Sequence, residues 1–506
     1  MSDELPEGWA AVQLGDLING FQAGRNLTAQ GRPASNGEFG VLKISAVTWG
    51  QFRHEENKAL LSGDAPRSHE VVKRGDLLIT RANTSDLVGA VAIVEDDFPF
   101  LMLPDKILRL LPKSGLVDPR FLLHALRSQE AREHFTVNAT GTSESMRNLS
   151  QPKLAATPVK LPPLPEQRRI VSKVEALLVR VNAARDRLEK VLLLLKRFRQ
   201  EVLARAFRGE LVPTEAELAA REGRLFQSAA ELLDHLPDSV SDEVPEGWIT
   251  VTIDQLLQPG GLFDGPFGSS LKTADYTDSG VRVIRLENIA NLRFVAEKET
   301  WISKSKYEEL KRHTVGEGDI IFGSFVDESC RVCLLPKLTT PAIAKADCFC
   351  LRPKDELVDR SFLVYQLGSS TTRNALVEEI HGATRPRINT GQLRALSVAL
   401  PPLAEQRRIV AKVEALLAAA AKVEVEAERQ ARQLERAPQA ILQKAFSGEL
   451  VPTEAELARI EGRSFESAAE LLTRVAQTAA EPGRGSPSDG DQAASVRRGS
   501  RAPRSR

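Results

Sequence analysis

LPPLPEQRRIVSKVEALL over residues 161–178 returns as LPPLAEQRRIVAKVEALL over residues 400–417, with two of the eighteen positions changed. The offset of 239 residues recurs. Pro6-Glu7-Gly8-Trp9 returns at 245–248, and AFRGELVPTEAELA at 206–219 returns at 445–458 with one change. Between these fixed points the halves diverge. Gly75-Asp76-Leu77-Leu78-Ile79 matches Gly318-Asp319-Ile320-Ile321-Phe322 only at an offset of 243. A solenoid repeats every roughly 20–50 residues, so this is a large unit written twice, a constant frame around two unlike inserts.

The frame predicts helix. After the extended entry 161–165, apolar residues stand at Ile170, Val174, Leu177, Val181, Ala184, Leu188, Val191, Leu195, Phe198 and Val202. Steps of 4 and 3 make a heptad seam. The second copy runs Ile409, Val413, Leu416, Ala420, Val423, Ala427, Gln430, Leu434, Ala437 and Ile441, with one polar intruder. Gly209 and Gly448 stop the helices, and Pro438 is placed to kink the second. Two such helices in one chain most simply pair antiparallel, which puts each insert at its own end of a dumbbell with approximate twofold symmetry. The alternative is two helices each packed on its own globule.

The inserts predict an α+β mixture. Strands are expected over 39–48, 75–82 and 89–95, and a helix over 119–128. In the second insert strands are expected over 281–289, 319–324, 332–335 and 347–351, with a helix over 360–367. The expected order is a mixed domain over 1–160, a long helix over 161–208 and a connector over 209–240. A second mixed domain over 241–399, a second long helix over 400–447 and a repeated connector over 448–475 follow. A disordered basic tail closes the chain over 476–506.

The chain has 506 residues, suiting about three domains. Its 42% apolar content supports real cores, and 68 basic against 68 acidic residues exclude a polybasic binder while leaving room for local basic surfaces. Four cysteines, all between Cys330 and Cys350, argue against a disulfide scaffold and suit a reducing, cytoplasmic setting. The first twenty residues lack the apolar core of a signal peptide, and no apolar run is long enough to span a bilayer.

No phosphate-binding P-loop, GxGxxG turn, HExxH pair or nucleophile elbow is present. Catalytic residues are therefore none, and this chain is expected to bind no cofactor or metal. Cys330, Cys333, Cys348 and Cys350 offer four thiolates to zinc, but only the first pair has common ligand spacing; small core residues are the other reading. The polar signals suit recognition instead. Phe263 to Lys272 forms a glycine-rich loop with Ser269, Ser270 and Lys272, the kind of loop whose backbone approaches phosphate closely. Arg81, Asn83 and Thr84 follow a predicted strand with a guanidinium and an amide suited to guanine and adenine edges. Arg285 and Asn288 are comparable in the second insert. Lys43 and Ser45 lie on the first predicted strand, and Arg147, Arg385 and Arg387 precede the two proline-rich helix entries. Arg168, Arg169, Arg407 and Arg408, beside Glu166 and Glu405, are expected to serve structure or a partner.

The sequence is similar to the specificity subunits of type I restriction-modification enzymes. The doubled PPLxEQRRIV motif heading each long helix resembles that family's conserved regions. The two Pro-Glu-Gly-Trp starts resemble the openings of its target recognition domains. DGPFGSSLKTADY with GVRVIRLENI (264–289) and GDLLITRANTSDLVGAVAIV (75–94) resemble recognition-domain patterns. The resemblance reaches about Val475. It implies a non-catalytic subunit whose two target recognition domains each read half of a split, asymmetric site on double-stranded DNA. It implies helices that set the unread spacer and dock two adenine-N6 methyltransferase subunits, with two translocase-nuclease subunits completing the complex. S-adenosylmethionine, ATP and Mg would then sit on those partners. A methylation-only or type II-like system, and a coiled-coil scaffold without DNA specificity, are the alternatives.

Overall fold

The computed structural model describes residues 5–35, 37–61, 67–143, 146–233, 244–378 and 386–480. Two compact units emerge: residues 1–185 with 432–506, and residues 186–431. Neither is a contiguous half of the repeat.

The long helices are Leu164–Phe207 and Leu403–Phe446, 44 residues each; Pro438 lies inside the second. In the first unit Ile170, Val171 and Val174, early in the first helix, share a core with Leu442, Ala445 and Phe446, late in the second. Arg185 Nη2 donates to the Leu434 carbonyl at 2.7 Å. In the second unit the late residues Val202, Leu203 and Ala206 share a core with the early Ile409 and Val413. The helices are therefore antiparallel within each unit. Gly209 and Gly448 end them at φ +76° and +80°, a backbone state that glycine adopts without steric cost.

The expected seam holds along the first helix except at Phe198, which is 42% exposed. The second departs from it. Val423 is 49% exposed and Gln430 is exposed, whereas Glu424 and Ala431 are half-buried. Glu424 receives two hydrogen bonds from the Arg199 guanidinium, at 2.6 and 3.2 Å. A straight helix drifts by about 20° per heptad against a 3.5-residue repeat, so the facing position moves on by one residue.

The repeated motifs have a common structural reason. Glu166 is fully buried; it accepts from Trp9 Nε1 at 3.0 Å and from the Glu454 N–H at 2.8 Å. Glu405 does the same with Trp248 at 2.9 Å and the Glu215 N–H at 2.8 Å. Gln167 accepts from the Asp118 N–H and donates to the Leu116 and Pro162 carbonyls. Gln406 repeats this with Asp359, Leu357 and Pro401. Arg169 pairs with Glu454 and Arg408 with Glu215, at 2.7 and 2.6 Å. Apart from the Nε atoms of Arg169 and Arg408, which are buried without a partner, the buried polar groups of these motifs meet defined partners, so PEGW, EQRR and TEAEL form one interlocking set.

That set corrects the linear domain order. The helix Glu454–Glu461 packs in the first unit and Glu215–Glu222 in the second, so each connector completes the unit built around the other insert. The final helix, Ala468–Ala480, runs five residues into the stretch expected to be disordered. Ala468 and Leu471 are buried in the first core, and Leu472 and Val475 pack on it. Residues 481–506 lie outside the described residues.

In the first unit an antiparallel sheet orders Val91–Ile93, Leu77–Thr80, Ile107–Pro112 and Ile18–Ala23. In the second the order is Leu257–Phe263, Cys348–Pro353, Ile320–Gly323 and Val332–Leu334. Most residues of the central strands are apolar because both faces are covered; Arg109 and Arg352 are the charged exceptions, paired with Asp76 and Asp319. Leu77 and Ile79 enter one core and Leu78 another; Ile320 and Phe322 enter one and Ile321 another. Each unit adds a second sheet, Asn57–Ala59, Gly40–Leu42, Phe98–Met102 and Val71–Val72 in the first. In the second it is Tyr276–Thr277, Trp301–Ile302, Val281–Ile284, Ala342–Ala344 and Thr314–Val315.

Two expected strands are interrupted. The stretch 39–48 contains the 3-10 turn Ile44–Ala46, and 281–289 contains Leu286–Asn288. The helix expected over 119–128 ends at Ala125, and a second, Gln129–Asn138, follows. Arg360–Leu367 forms as expected. The four cysteines do not gather into one site. Cys330 sits in one core cluster and Cys333, Cys348 and Cys350 in another. Burial raises all four thiols, Cys330 and Cys333 to about 12. Among the described residues no group of three or more His, Cys, Asp or Glu side chains is placed to hold a metal, and no helix is long and apolar enough to cross a membrane.

Candidate nucleic-acid interface

In the first unit the chain leaves the central strand at Arg81 and pairs Ala82–Asn83 with Met146–Asn148, setting Asn83 opposite Arg147. The Leu149 N–H donates to the Arg81 carbonyl at 2.8 Å. Strand pairing thus brings Arg147, distant in sequence, beside Arg81, Asn83 and Thr84. Arg81 Nε donates to the Asp105 carbonyl at 2.8 Å and Arg147 Nη1 to the Gly141 carbonyl at 3.1 Å. Asn83 Oδ1 accepts from the Thr84 N–H at 2.9 Å, while its Nδ2 is buried without a protein partner.

The Arg81 N–H donates to the Lys106 carbonyl at 3.0 Å, and Lys106 borders a cleft of about 470 Å³. Lys43 and Ser45 line the same cleft, with Arg25, Asn26 and Lys58. Glu56 takes a 2.7 Å bond from Ser45 Oγ and a 3.4 Å bond from Lys43 Nζ. The Ser45 hydrogen bond, then Lys43, holds its carboxyl below the usual range. Arg25 is tied to the buried Glu70 at 2.7 Å. Asn26 and Lys58 carry no sequence signal; Lys106 stands in the turn between two strands of different sheets, Phe98–Met102 and Ile107–Pro112, neither of which was expected. A Pro-Asp-Lys turn between two apolar runs was the available signal.

The second unit repeats the arrangement on other side chains. The Ile388 N–H donates to the Ser324 carbonyl at 2.9 Å, and Phe325 bridges to Arg387. Arg387 pairs with Asp347, which also accepts from Ser324 Oγ at 2.8 Å. The Asp347 N–H and the Gly265 N–H both donate to Asp264 Oδ1, at 3.0 and 2.7 Å. Burial pushes the Asp264 carboxyl up, against the pull of these N–H groups. The loop that Asp264 opens exposes Ser269, Ser270 and Lys272. Arg285 pairs with Glu287 at 3.0 Å and lies 5.8 Å over the Tyr276 ring. Lys345 Nζ donates to Tyr276 Oη at 2.8 Å. Lys345 and Asp347 thus tie the loop, Arg285 and Arg387 into one surface. Arg385 lies outside the described residues.

Asn288 is a correction. It is fully buried; its Nδ2 donates to the Val295 and Lys298 carbonyls at 2.9 and 2.7 Å, and its Oδ1 accepts from the Arg285 N–H at 2.9 Å. It closes the turn that interrupts the strand and cannot present its amide to a base. Asn288→Ala is expected to destabilise the chain by about 1–3 kcal/mol, read as a lower urea midpoint, with base preference intact. Unchanged stability with lost recognition would restore it to the surface.

Cations and hydroxyls of this kind neutralise and position phosphates, and amide and guanidinium groups read base edges. The family described as "Type I restriction modification DNA specificity domain" matches residues 6–191 and 245–431. The chain belongs to this specificity family. The two matches begin at the two Pro-Glu-Gly-Trp motifs and extend into the two long helices, so the family's domain is present twice. The chain is 33% identical to the type I restriction enzyme EcoEI specificity subunit of Escherichia coli, over 34% of this chain and 29% of that protein. It is 25% identical to the EcoKI specificity subunit of E. coli strain K12, over 88% of this chain and 90% of that one. A chain in a solved assembly of a type I restriction-modification system shares the fold, with a TM-score of 0.61 and 22% identity over 88% of this chain and 100% of that one.

Proposed function

We propose that this chain is the non-catalytic DNA-recognition subunit of a type I restriction-modification complex, each unit reading one half of a bipartite, asymmetric site on double-stranded DNA. The observation that carries the reading is the matched strand exit. Arg81–Ala82 beside Asn148 and Ser324–Phe325 beside Arg387 occupy equivalent backbone positions with different side chains. A constant frame with unlike reading groups suits two unlike half-sites.

The long helices act as the ruler for the unread spacer and as the docking face for two adenine-N6 methyltransferase subunits. Leu193, Leu194, Phe198, Val423 and Val425 support docking, since all are between 42% and 65% exposed on helices and solvent gives them no partner. S-adenosylmethionine, ATP and Mg belong to methyltransferase and translocase-nuclease partners in this reading, and this chain binds none of them. The experiment is the N6-methyladenine map of a host without other adenine methyltransferases, expressing this chain with its methyltransferase partner. A split motif with a fixed spacer is expected. Arg81→Ala should then weaken one half-site by about 1–3 kcal/mol. No methylation from a soluble, associated complex counts against the reading and favours a scaffold.

A further inference from the structure

The two units display one loop in the same place. In the first, the strand Ile18–Ala23 ends in Gly24, Arg25 and Asn26; in the second, Leu257–Phe263 ends in Asp264, Gly265, Pro266 and Phe267. Gln22 pairs with Arg109 and Phe263 with Cys350, and both partners stand third in their strands, Ile107–Pro112 and Cys348–Pro353. Register therefore makes Gly24 equivalent to Gly265. The packing agrees. A β-carbon at Gly24 would overlap the Leu103 carbonyl, and one at Gly265 the Ala344–Lys345 backbone. Neither position admits a side chain, so both loops are pressed onto the turn that precedes the neighbouring strand.

The residue two places after the glycine is Asn26 in one unit and Phe267 in the other. Both are exposed, Phe267 to 56%. The loops behind them are held firmly. The Gly24 N–H donates to the Pro104 carbonyl at 3.2 Å, and the Ala346 N–H to the Pro266 carbonyl at 3.3 Å. The Phe267 carbonyl accepts from the Ser270 N–H at 2.8 Å, and Leu271 is buried in a core with Val281 and Ile302. An exposed aromatic ring on an anchored loop gains nothing for folding. Asn26 shares its cleft with Lys43, Lys58 and Lys106, and the Phe267 loop rests on the backbone of Lys345. Lysines thus border the cleft of Asn26 in the first unit, whereas the Lys345 ammonium of the second is bonded to Tyr276 Oη.

We propose that Asn26 and Phe267 are matched specificity-determining residues, a further pair of base contacts that rests on the DNA-recognition reading above. Asn26 presents an amide of the kind that pairs with an adenine edge. Phe267 has no donor or acceptor, so it reads by apolar contact, with a thymine methyl or by wedging a base step.

The test is methylation of a plasmid library randomised in each half-site, by the full chain with its methyltransferase partner, for wild type, Asn26→Ala and Phe267→Ala. Each substitution is expected to reduce discrimination about tenfold at one or two adjacent base pairs of one half-site, leaving the other half-site and the melting temperature unchanged. For Phe267, deoxyuridine in place of thymine reproduces the loss if the methyl is read. Bright 2-aminopurine fluorescence that Phe267→Ala quenches marks a wedge. A uniform fall in rate with unaltered base preference, or no change, overturns the inference while leaving the function standing. A wild type that methylates no split motif overturns both.

Discussion

Glu405→Ala is expected to destabilise the second unit by about 3–5 kcal/mol, most of the margin of an ordinary domain. The carboxylate is fully buried and accepts from Trp248 Nε1 and from the N–H that opens the helix Glu215–Glu222. Alanine leaves both donors buried without partners and removes the link from the long helix to the connector. Denaturant unfolding of the full chain should show an early transition, with amide exchange accelerated over 209–233 and 245–257 and protection of the first unit retained. Glu166→Ala should mirror it in the first unit. Unchanged midpoints would show that packing alone holds the motifs together.

The two carboxylates at this joint respond oppositely to pH. Burial raises the Glu405 pKa, so its contribution is full below the unfolded carboxylate value and is lost as pH rises through the raised folded value. Burial also opposes ionisation of Glu215, but Arg408 and Arg224 outweigh it and lower the pKa. Its contribution is full above the unfolded value and lost as pH falls through the lowered folded one. Glu405→Gln should therefore abolish the loss on the rising side alone, visible in the urea midpoint against pH.

Lengthening both long helices by three heptads is expected to keep both half-sites and to lengthen the spacer by about nine base pairs. Twenty-one residues add roughly 31 Å of helix, close to a duplex turn of roughly 34–36 Å, so both units still meet the same groove face. A single heptad adds about 10 Å, or three base pairs. That turns the second half-site by about a third of the duplex circumference, and most methylation should be lost. Whole heptads keep the antiparallel seam in phase. N6-methyladenine mapping reads both outcomes. An unaltered spacer in the three-heptad chain would reject the helices as the ruler.

Local pattern made the frame legible. The helices begin and end within a few residues of where heptad spacing, prolines and Gly209 and Gly448 place them, because a long amphipathic helix is set by its own periodicity. The central strands Leu77–Thr80 and Ile320–Gly323 were readable from short apolar runs bounded by glycine. Arg81, Asn83 and Thr84 stood out as one segment and Arg147 as another, and strand pairing joins the two.

Other features were decided at long range. Asn288 looked like a reading residue, yet its amide closes a turn onto carbonyls seven and ten residues away. Asn26 and Lys58 carry no pattern of their own, and they share a cleft with Lys106 only because separate strands and turns converge there. The sequence by itself determined the duplication, the two helices and the unlike inserts, since these rest on repeats and periodicity. Tertiary structure alone decided which connector completes which unit. Glu166 meets the Glu454 N–H and Glu405 meets the Glu215 N–H because antiparallel pairing carries the end of each helix to the start of the other, and two identical motifs cannot say which copy they will find.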